Sequence, residues 1–123
     1  MLLALDIGNT NITAGLFRRE KEKYAKYPVK VWRMSTHKDR TEDEYAALLM
    51  DLFYYCGYSA KDVSNVAAAS VVPALNNVFE ALVKKYFNKK AFFVDYKNNG
   101  ELKFGYGNAQ EAGAKFVDRK SVV

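Results

Sequence analysis

The chain has 123 residues, and 50% of them are hydrophobic, so the composition favours one folded domain with a sizeable core and argues against intrinsic disorder. The formal net charge is +5, but no DNA- or RNA-binding motif accompanies the basic residues, which makes nucleic acid an unexpected partner. The single cysteine, Cys56, rules out an internal disulfide, and a lone histidine, His37, argues against a zinc site.

The chain begins with a short apolar run that leads into a polar turn. Residues 2–7 have the length of a buried strand, and only Asp6 interrupts them. Because burial of an unpaired carboxylate is costly, we expect Asp6 at the exposed end of the strand, or facing a cation, a water or a donor. Residues 8–11 predict a tight turn, and residues 12–17 resume the apolar pattern. The sequence therefore predicts an antiparallel hairpin.

This hairpin has two interpretations. In the first, the turn binds phosphate through backbone N–H groups and the Thr10 hydroxyl, Gly8 lets the ligand approach the main chain, and Asp6 holds Mg²⁺ through water. Asn9 and Asn11 add short hydrogen-bonding side chains. In the second, the segment is a hairpin with an Asn/Gly turn and a surface carboxylate. It is neither a P-loop nor a dinucleotide fingerprint, since it has no Gly-Lys-Ser/Thr and no helix follows the glycine.

A third strand and a helix follow. Residues 18–26 predict a charged hairpin tip with no need for a fixed structure, and residues 29–34 alternate as in a strand. Polar residues 35–40, among them Thr36, are expected to shape the loop into a helix, with a ligand role as the alternative. The helix begins with Thr41 as N-cap and Glu44 as its capping-box partner, and it ends at Gly57. Its predicted buried positions are Tyr45, Leu48, Leu49, Leu52 and Phe53.

The remainder of the chain alternates strands and helices. Residues 65–72 are small and apolar, which is typical of a central strand covered on both faces. Pro73 opens a helix. The predicted buried stripe of this helix is Leu75, Val78, Phe79, Leu82, Val83 and Tyr86. Residues 91–96 predict the next strand, and residues 109–117 a last helix.

The predicted order, β-β-β-α-β-α-β, indicates an α/β fold with a mixed sheet of about five strands and helices on its faces. In such sheets ligands bind at strand ends and tight turns, which favours the turn at residues 8–11 as the site. The sequence contains no apolar run close to the ~20 residues of a membrane-spanning helix and no signal-like leader. We therefore expect a cytoplasmic protein without membrane contact.

Four stretches together resemble the type III pantothenate kinases, which belong to the acetate and sugar kinase/Hsp70/actin superfamily. They are LDIGNTN at 5–11, WRMSTHKDRTEDEY at 32–45, SVVP at 70–73 and YGNAQEAGA at 106–114. Because they occur in the family's order and at its spacings, the resemblance extends over residues 1–114. It implies a ribonuclease H-like, actin-like ATPase domain, here the N-terminal of two.

The resemblance also implies a function. Members of the family phosphorylate pantothenate with ATP, the first step of coenzyme A synthesis. They use Mg²⁺ and a monovalent cation, K⁺ or NH₄⁺, and they form homodimers. Two alternatives stay open: a non-catalytic module for phosphate or nucleotide binding or for dimerisation, and a transcriptional regulator like the Bvg accessory factor.

The family's site residues map onto this chain by position. Asp6 matches the first phosphate motif, with Gly8, Asn9, Thr10 and Asn11 in the turn. Further along, Tyr106 matches an aromatic residue at the pantothenate site. Gly113 and Ala114 match the first half of a Gly-Ala-Asp-Arg motif, in which the family's aspartate acts as the base and its arginine binds substrate.

The chain departs from the family at its end. Lys115 and Phe116 stand where the family has that Asp-Arg pair, and a protonated lysine cannot act as the base. Asp118, which Arg119 follows, is the displaced candidate for a catalytic base. Residues 115–123 are expected to be a divergent or altered end, and the family's second domain is absent from the 123 residues. We therefore expect the chain to be inactive by itself.

Overall fold

The computed structural model describes residues 1–94, which form one mixed sheet, a small hairpin and two helices. In chain order the elements are β1 (Leu2–Ile7), β2 (Asn11–Phe17), β3 (Arg19–Glu20), β4 (Lys23–Tyr24), β5 (Lys30–Ser35), α1 (Glu42–Tyr55), a 3₁₀ turn (Ala60–Asp62), β6 (Asn65–Ser70), α2 (Pro73–Leu82), a π-helical segment (Val83–Phe87) and β7 (Phe92–Phe93). The α/β class is therefore as predicted.

The main sheet has five strands in the order β5-β2-β1-β6-β7. The pairs β1–β2 and β2–β5 are antiparallel, whereas β1–β6 and β6–β7 are parallel. This arrangement confirms the predicted mixed sheet with hairpin-linked strands first and crossover connections after them. Strands β1 and β6 lie at its centre, and four consecutive residues of β6, 66–69, are buried, as predicted for a strand covered on both faces.

The side chains of β1 alternate between two apolar clusters. Leu3, Leu5 and Ile7 join the larger cluster, which contains the buried residues of both helices. Leu2 and Ala4 point to the opposite face. There they pack with Phe17, Tyr24 and Ala67, and with the partly buried Phe92 and Val94. The sheet thus separates a helix-covered face from a second face, and Asp6 belongs to the second by alternation.

The capping box predicted for α1 is confirmed. The Thr41 hydroxyl accepts a hydrogen bond from the Glu44 N–H at 3.2 Å, and the Thr41 N–H donates to the Glu44 carboxylate at 3.0 Å. Gly57 follows the helix with φ +83°, the left-handed conformation that glycine adopts without strain. The predicted buried stripe was wrong at Leu48, which is 38% exposed because it lies at the edge of the buried face of the helix and not at its centre.

Helix α2 begins at Pro73 as predicted, but its C-terminal end differs from the expectation. Leu75, Phe79, Leu82 and Val83 are buried, whereas Tyr86 is 37% exposed and Phe87 is buried in its place. A regular α-helix would have placed Tyr86 in the stripe. The π-helical segment Val83–Phe87 widens the turn, and one residue more is needed to return to the same face. Phe87 therefore packs edge-on against Phe53, with ring centroids 6.0 Å apart.

Two other expectations change. Residues 18–26 do adopt a fixed structure, since β3 and β4 pair and Tyr24 is buried against the second face of the sheet. The phenol of Tyr24 also accepts a hydrogen bond from the Asn65 amide at 2.6 Å, which ties this hairpin to β6. Of the strand predicted over residues 91–96, the described part forms Phe92–Phe93, and the rest lies outside the described residues.

Candidate functional site

The turn between β1 and β2 is closed by a short backbone contact. The Gly8 N–H donates to the Asn11 carbonyl at 3.0 Å. A Cβ atom on residue 8 would lie 2.9 Å from that same carbonyl oxygen, closer than real Cβ contacts. Glycine is therefore required at this position by the approach of the backbone to itself.

The tip of this turn presents hydrogen-bond donors to solvent. Asn9 and Thr10 are both exposed. Within residues 1–94, neither their backbone N–H groups nor their side chains donate a hydrogen bond to another protein group. Two main-chain donors, a hydroxyl and an amide are thus open to a ligand, which is the kind of donor set that binds phosphate oxygens. This geometry agrees with the predicted open turn.

Asp6 lies at the end of β1, next to the turn, and is half-buried. Its directly opposite partners are Thr13 on β2 and Ala69 on β6, and Thr13 in turn pairs with Arg33 on β5. Because opposite residues share a face of the sheet, Arg33, Thr13, Asp6 and Ala69 form one row on the face away from the helices. Thr13 is a buried polar residue, only 6% exposed. The carboxylate therefore has a hydroxyl neighbour and a cationic side chain in its row.

The turn and the start of α2 lie at the same edge of the sheet, because β1 and β6 are parallel. The Val71 N–H donates to the Ile7 carbonyl at 3.0 Å, which brings the two strand ends together. Helix α2 starts two residues later with no acidic residue in its first turn and no side-chain cap. Because its first turn carries no negative charge, the positive end of this helix adds to a potential that favours anions at this edge.

A loop residue that sequence reasoning had not connected to the turn also contacts it. The Thr36 hydroxyl donates to the Gly8 carbonyl at 2.7 Å, and the Thr36 N–H donates to the Thr10 carbonyl at 2.9 Å. Thr36 was predicted to shape the loop before α1, with a ligand role as the alternative, and neither prediction included a contact with the turn. The two partners are 28 residues apart, and no local pattern indicates that they meet.

A depression of about 350 Å³ lies beside this loop, between the outer edge of β5 and helix α1. Its lining residues are Arg33, Met34, Ser35, His37, Arg40, Leu48, Asp51, Leu52 and Tyr55. None of them belongs to the turn at residues 8–11, so the depression is separate from the open donors described above. No local sequence pattern indicates this depression, since its residues come from a strand, a loop and a helix.

The other predicted site residues lie outside the described part of the chain. They are Tyr106, Gly113, Ala114 and Asp118. Within residues 1–94, no group of three or more His, Cys, Asp or Glu side chains is placed to hold a metal ion. No helix in the same range has the length and apolar character needed to cross a membrane.

Comparison with known proteins assigns the family. The family model described as type III pantothenate kinase matches residues 2–119. The chain belongs to the type III pantothenate kinase family. The predicted resemblance is therefore confirmed, and the mixed five-stranded sheet agrees with the actin-like ATPase fold that it implied.

Curated members of the pantothenate kinase family match at high identity. The type III pantothenate kinase of Endomicrobium trichonymphae is 60% identical over 114 residues, which is 93% of this chain and 44% of the relative. That of Anaeromyxobacter dehalogenans is 40% identical over 117 residues, which is 95% of this chain and 44% of the relative. The chain thus spans less than half the length of these pantothenate kinases.

Among solved structures, the chain is similar to a Ppx/GppA family protein of Aquifex aeolicus. The match covers 80% of this chain and 36% of that protein, with a TM-score of 0.48 and 13% identity.

Proposed function

We propose that this chain supplies the first phosphate-binding element of an ATP-dependent pantothenate kinase, as its N-terminal domain. The observation that carries the proposal is the exposed turn at residues 8–11, with open donors on Asn9 and Thr10 directly beside Asp6. Family membership supplies the substrate class. In phosphoryl transfer the protein mostly positions the reactants and stabilises charge, and this turn provides one group of donors that can do both for the phosphates.

In this proposal the N–H groups of Asn9 and Thr10 and the Thr10 hydroxyl bind phosphate oxygens of ATP, while Gly8 and Asn11 close the turn beneath them. Asp6 holds Mg²⁺ through water. A single carboxylate suits this ion, because Mg²⁺ keeps several waters and is bound by one or two carboxylates plus substrate phosphates. When bound, Mg²⁺ neutralises charge that develops on the transferred phosphoryl group.

The substrate side of the reaction is assigned to residues outside the described range. We propose that Tyr106, Gly113 and Ala114 line the pantothenate site, as the family pattern implies. A base must accept the proton of the attacking hydroxyl, and the ammonium of Lys115 has no lone pair to do so. Asp118 is the remaining candidate, displaced by three positions.

A K⁺ or NH₄⁺ ion, a homodimer and a cytoplasmic location belong to the same proposal.

A chimera with a relative tests the function. Residues 1–114 of this chain, followed by the part of the Endomicrobium trichonymphae kinase that the match does not cover, restore both the family's Asp-Arg pair and a second domain. We expect the chimera to form phosphopantothenate from pantothenate and ATP, as measured by mass spectrometry. The 123-residue chain, unmodified or with Lys115→Asp and Phe116→Arg, should give none.

Asp6→Asn in the chimera tests the role of the carboxylate. Loss of one electrostatic stabiliser should lower kcat by about 10²-fold or more with little change in folding. Glu80→Gln, which removes an exposed carboxylate of α2, is the matched control and should leave kcat unchanged. A folded chimera without activity would contradict the proposal and favour the non-catalytic module or the Bvg accessory factor-like regulator. Turnover by the unmodified chain would instead favour Asp118 as a working base.

A further inference from the structure

We propose that Thr36 is a positioning residue of the phosphate-binding turn, held in place from helix α1 by Tyr45. This inference rests on the proposed function of the turn. It assigns part of the structural support of the turn to a residue outside residues 8–11. Thr36 touches no open donor itself. It acts through the backbone of Gly8 and Thr10, whose carbonyls accept its two hydrogen bonds at 2.7 and 2.9 Å.

Without Thr36, the backbone of residues 8–10 would be held by few hydrogen bonds among the described residues. Gly8 makes one internal bond, from its N–H to the Asn11 carbonyl, and its own carbonyl is bonded by the Thr36 hydroxyl. The neighbours Asn9 and Thr10 are exposed and leave their N–H groups open. The orientation of those N–H groups depends on the peptide planes of residues 8–10. Thr36 fixes the Gly8 carbonyl, which shares its peptide plane with the Asn9 N–H. It also fixes the Thr10 carbonyl, so the plane that carries the Thr10 N–H is held between two anchored peptide planes, and both donors are limited in how far they can rotate.

Thr36 is itself held in place through its neighbour in the chain. The next residue, His37, is fixed on both sides of its backbone by one side chain: the Tyr45 hydroxyl donates to the His37 carbonyl at 2.6 Å and accepts from the His37 N–H at 2.8 Å. Tyr45 is fully buried in α1, with its ring 5.0 Å from that of Phe79. The segment that carries Thr36 is thus anchored to the helical layer of the core.

Arg40 holds the same loop from its other side. Arg40 donates from Nη1 to the Ser35 carbonyl at 3.1 Å, and its guanidinium carbon lies 5.6 Å from the centre of the Tyr45 ring. The Arg40 N–H also donates to the His37 carbonyl at 3.2 Å. Residues 35–40 therefore form a compact loop around Tyr45, and Thr36 is the residue of this loop that bonds to the Gly8 and Thr10 carbonyls.

Amide hydrogen exchange of the 123-residue chain, measured by NMR without ligand, tests directly whether Thr36 holds the turn. Thr36→Val keeps the branched shape but removes the hydroxyl donor. We expect the Gly8 N–H to exchange about tenfold faster, the effect of losing one hydrogen bond locally, while amides in the middle of β1 and β2, such as Leu5 and Ala14, stay unchanged. Thr36→Ser keeps the hydroxyl and should restore protection to within about twofold of the native chain.

Tyr45→Phe should produce the same local effect through the loop. The double variant Thr36→Val with Tyr45→Phe should be no faster at Gly8 than the faster single variant, because both changes break one chain of contacts. Equal acceleration at every amide, independent single effects, or failure of Thr36→Ser to rescue would each overturn the proposal in favour of a general packing role.

The kinetic consequence is measured in the active chimera. Thr36→Val should lower kcat about tenfold and leave the KM for pantothenate unchanged, since Thr36 positions only the turn proposed to bind the phosphates of ATP. An unchanged kcat with a loosened turn would overturn the positioning role. If the parent chimera has no activity, the proposed function fails, whereas the exchange experiment still decides whether Thr36 and Tyr45 hold the turn.

Discussion

The Lys85 ammonium lies 2.8 Å from the Asp43 carboxylate and joins the first turn of α1 to the π-helical segment that follows α2. The hydroxyl of Tyr86 donates to the same carboxylate oxygen. The bonds from Lys85 and then from Tyr86 lower the pKa of Asp43, and the bond to Asp43 raises the pKa of Lys85. All three groups are exposed to solvent, so this contact is weakened by salt.

These shifts predict a window of pH in which the contact stabilises the fold. Because the pKa of Asp43 is lowered in the folded chain, its contribution is present above the unfolded value of about 3.9 and is lost as pH falls through the folded one. The raised pKa of Lys85 means that its contribution is lost as pH rises through the folded value, above about 10.4. Asp43→Asn should therefore lower the Tm at neutral pH, and the difference from the native chain should shrink as pH falls through the lowered pKa of Asp43.

Thermal unfolding followed by circular dichroism from about pH 2 to about pH 10 measures this difference. Glu80→Gln removes an exposed carboxylate from α2 and serves as the control. A Tm difference for Asp43→Asn that persists at the acid end, or one that high salt does not reduce, would mean that the residue acts through something other than its charge.

Gly8→Ala tests the close approach in the turn. The added Cβ would lie 2.9 Å from the Asn11 carbonyl oxygen, so the backbone must move. We expect a loss of about 1–3 kcal/mol in the free energy of unfolding, as for other overpacked sites. Gly15→Ala in the same hairpin is the control, because its Cβ would meet the edge of the Phe17 ring and not a backbone atom. Equal stability of the two variants in urea unfolding would refute the steric argument.

Phe87→Ala and Tyr86→Ala test the register that the π-helical segment imposes. Phe87 is 6% exposed and packs on Phe53, so its truncation should cost about 3–5 kcal/mol. Tyr86→Ala removes a partly exposed ring and should cost much less. Urea unfolding at pH 7 gives both free energies. The reverse order would indicate a regular α-helix through residue 87.

Most of the fold could be predicted because its signals are local. The capping box of Thr41 and Glu44 and the proline at position 73 each mark an element boundary through chemistry that acts within one turn. The alternation in β5, with Trp32 and Met34 buried, and the open turn at residues 8–11 also follow from neighbouring residues. These predictions needed no knowledge of what lies across the sheet.

The errors share a different origin. Tyr86 and Phe87 exchanged roles because a π-helical turn changes the spacing of the buried stripe, and the sequence carries no mark of it. The hairpin at residues 18–26 is ordered because Tyr24 finds the second face of the sheet and the Asn65 amide, 41 residues away. At the candidate site, the turn itself was found, but its contact with Thr36 was missed for the same reason. The last two features depend on contacts between residues far apart in the chain.

The parallel pairing of β1 with β6 constrains the order in which the protein can fold. Leu2 is the register partner of Asn65, so the central strand stays without one of its two neighbours until a loop of about 60 residues has closed. The hairpin of β1 and β2 can form from neighbouring residues, whereas the edge of β1 that receives β6 is exposed in the meantime. A newly made chain therefore presents an unpaired apolar strand edge for as long as residues 65–70 have not been synthesised and docked, and this edge is where aggregation would begin.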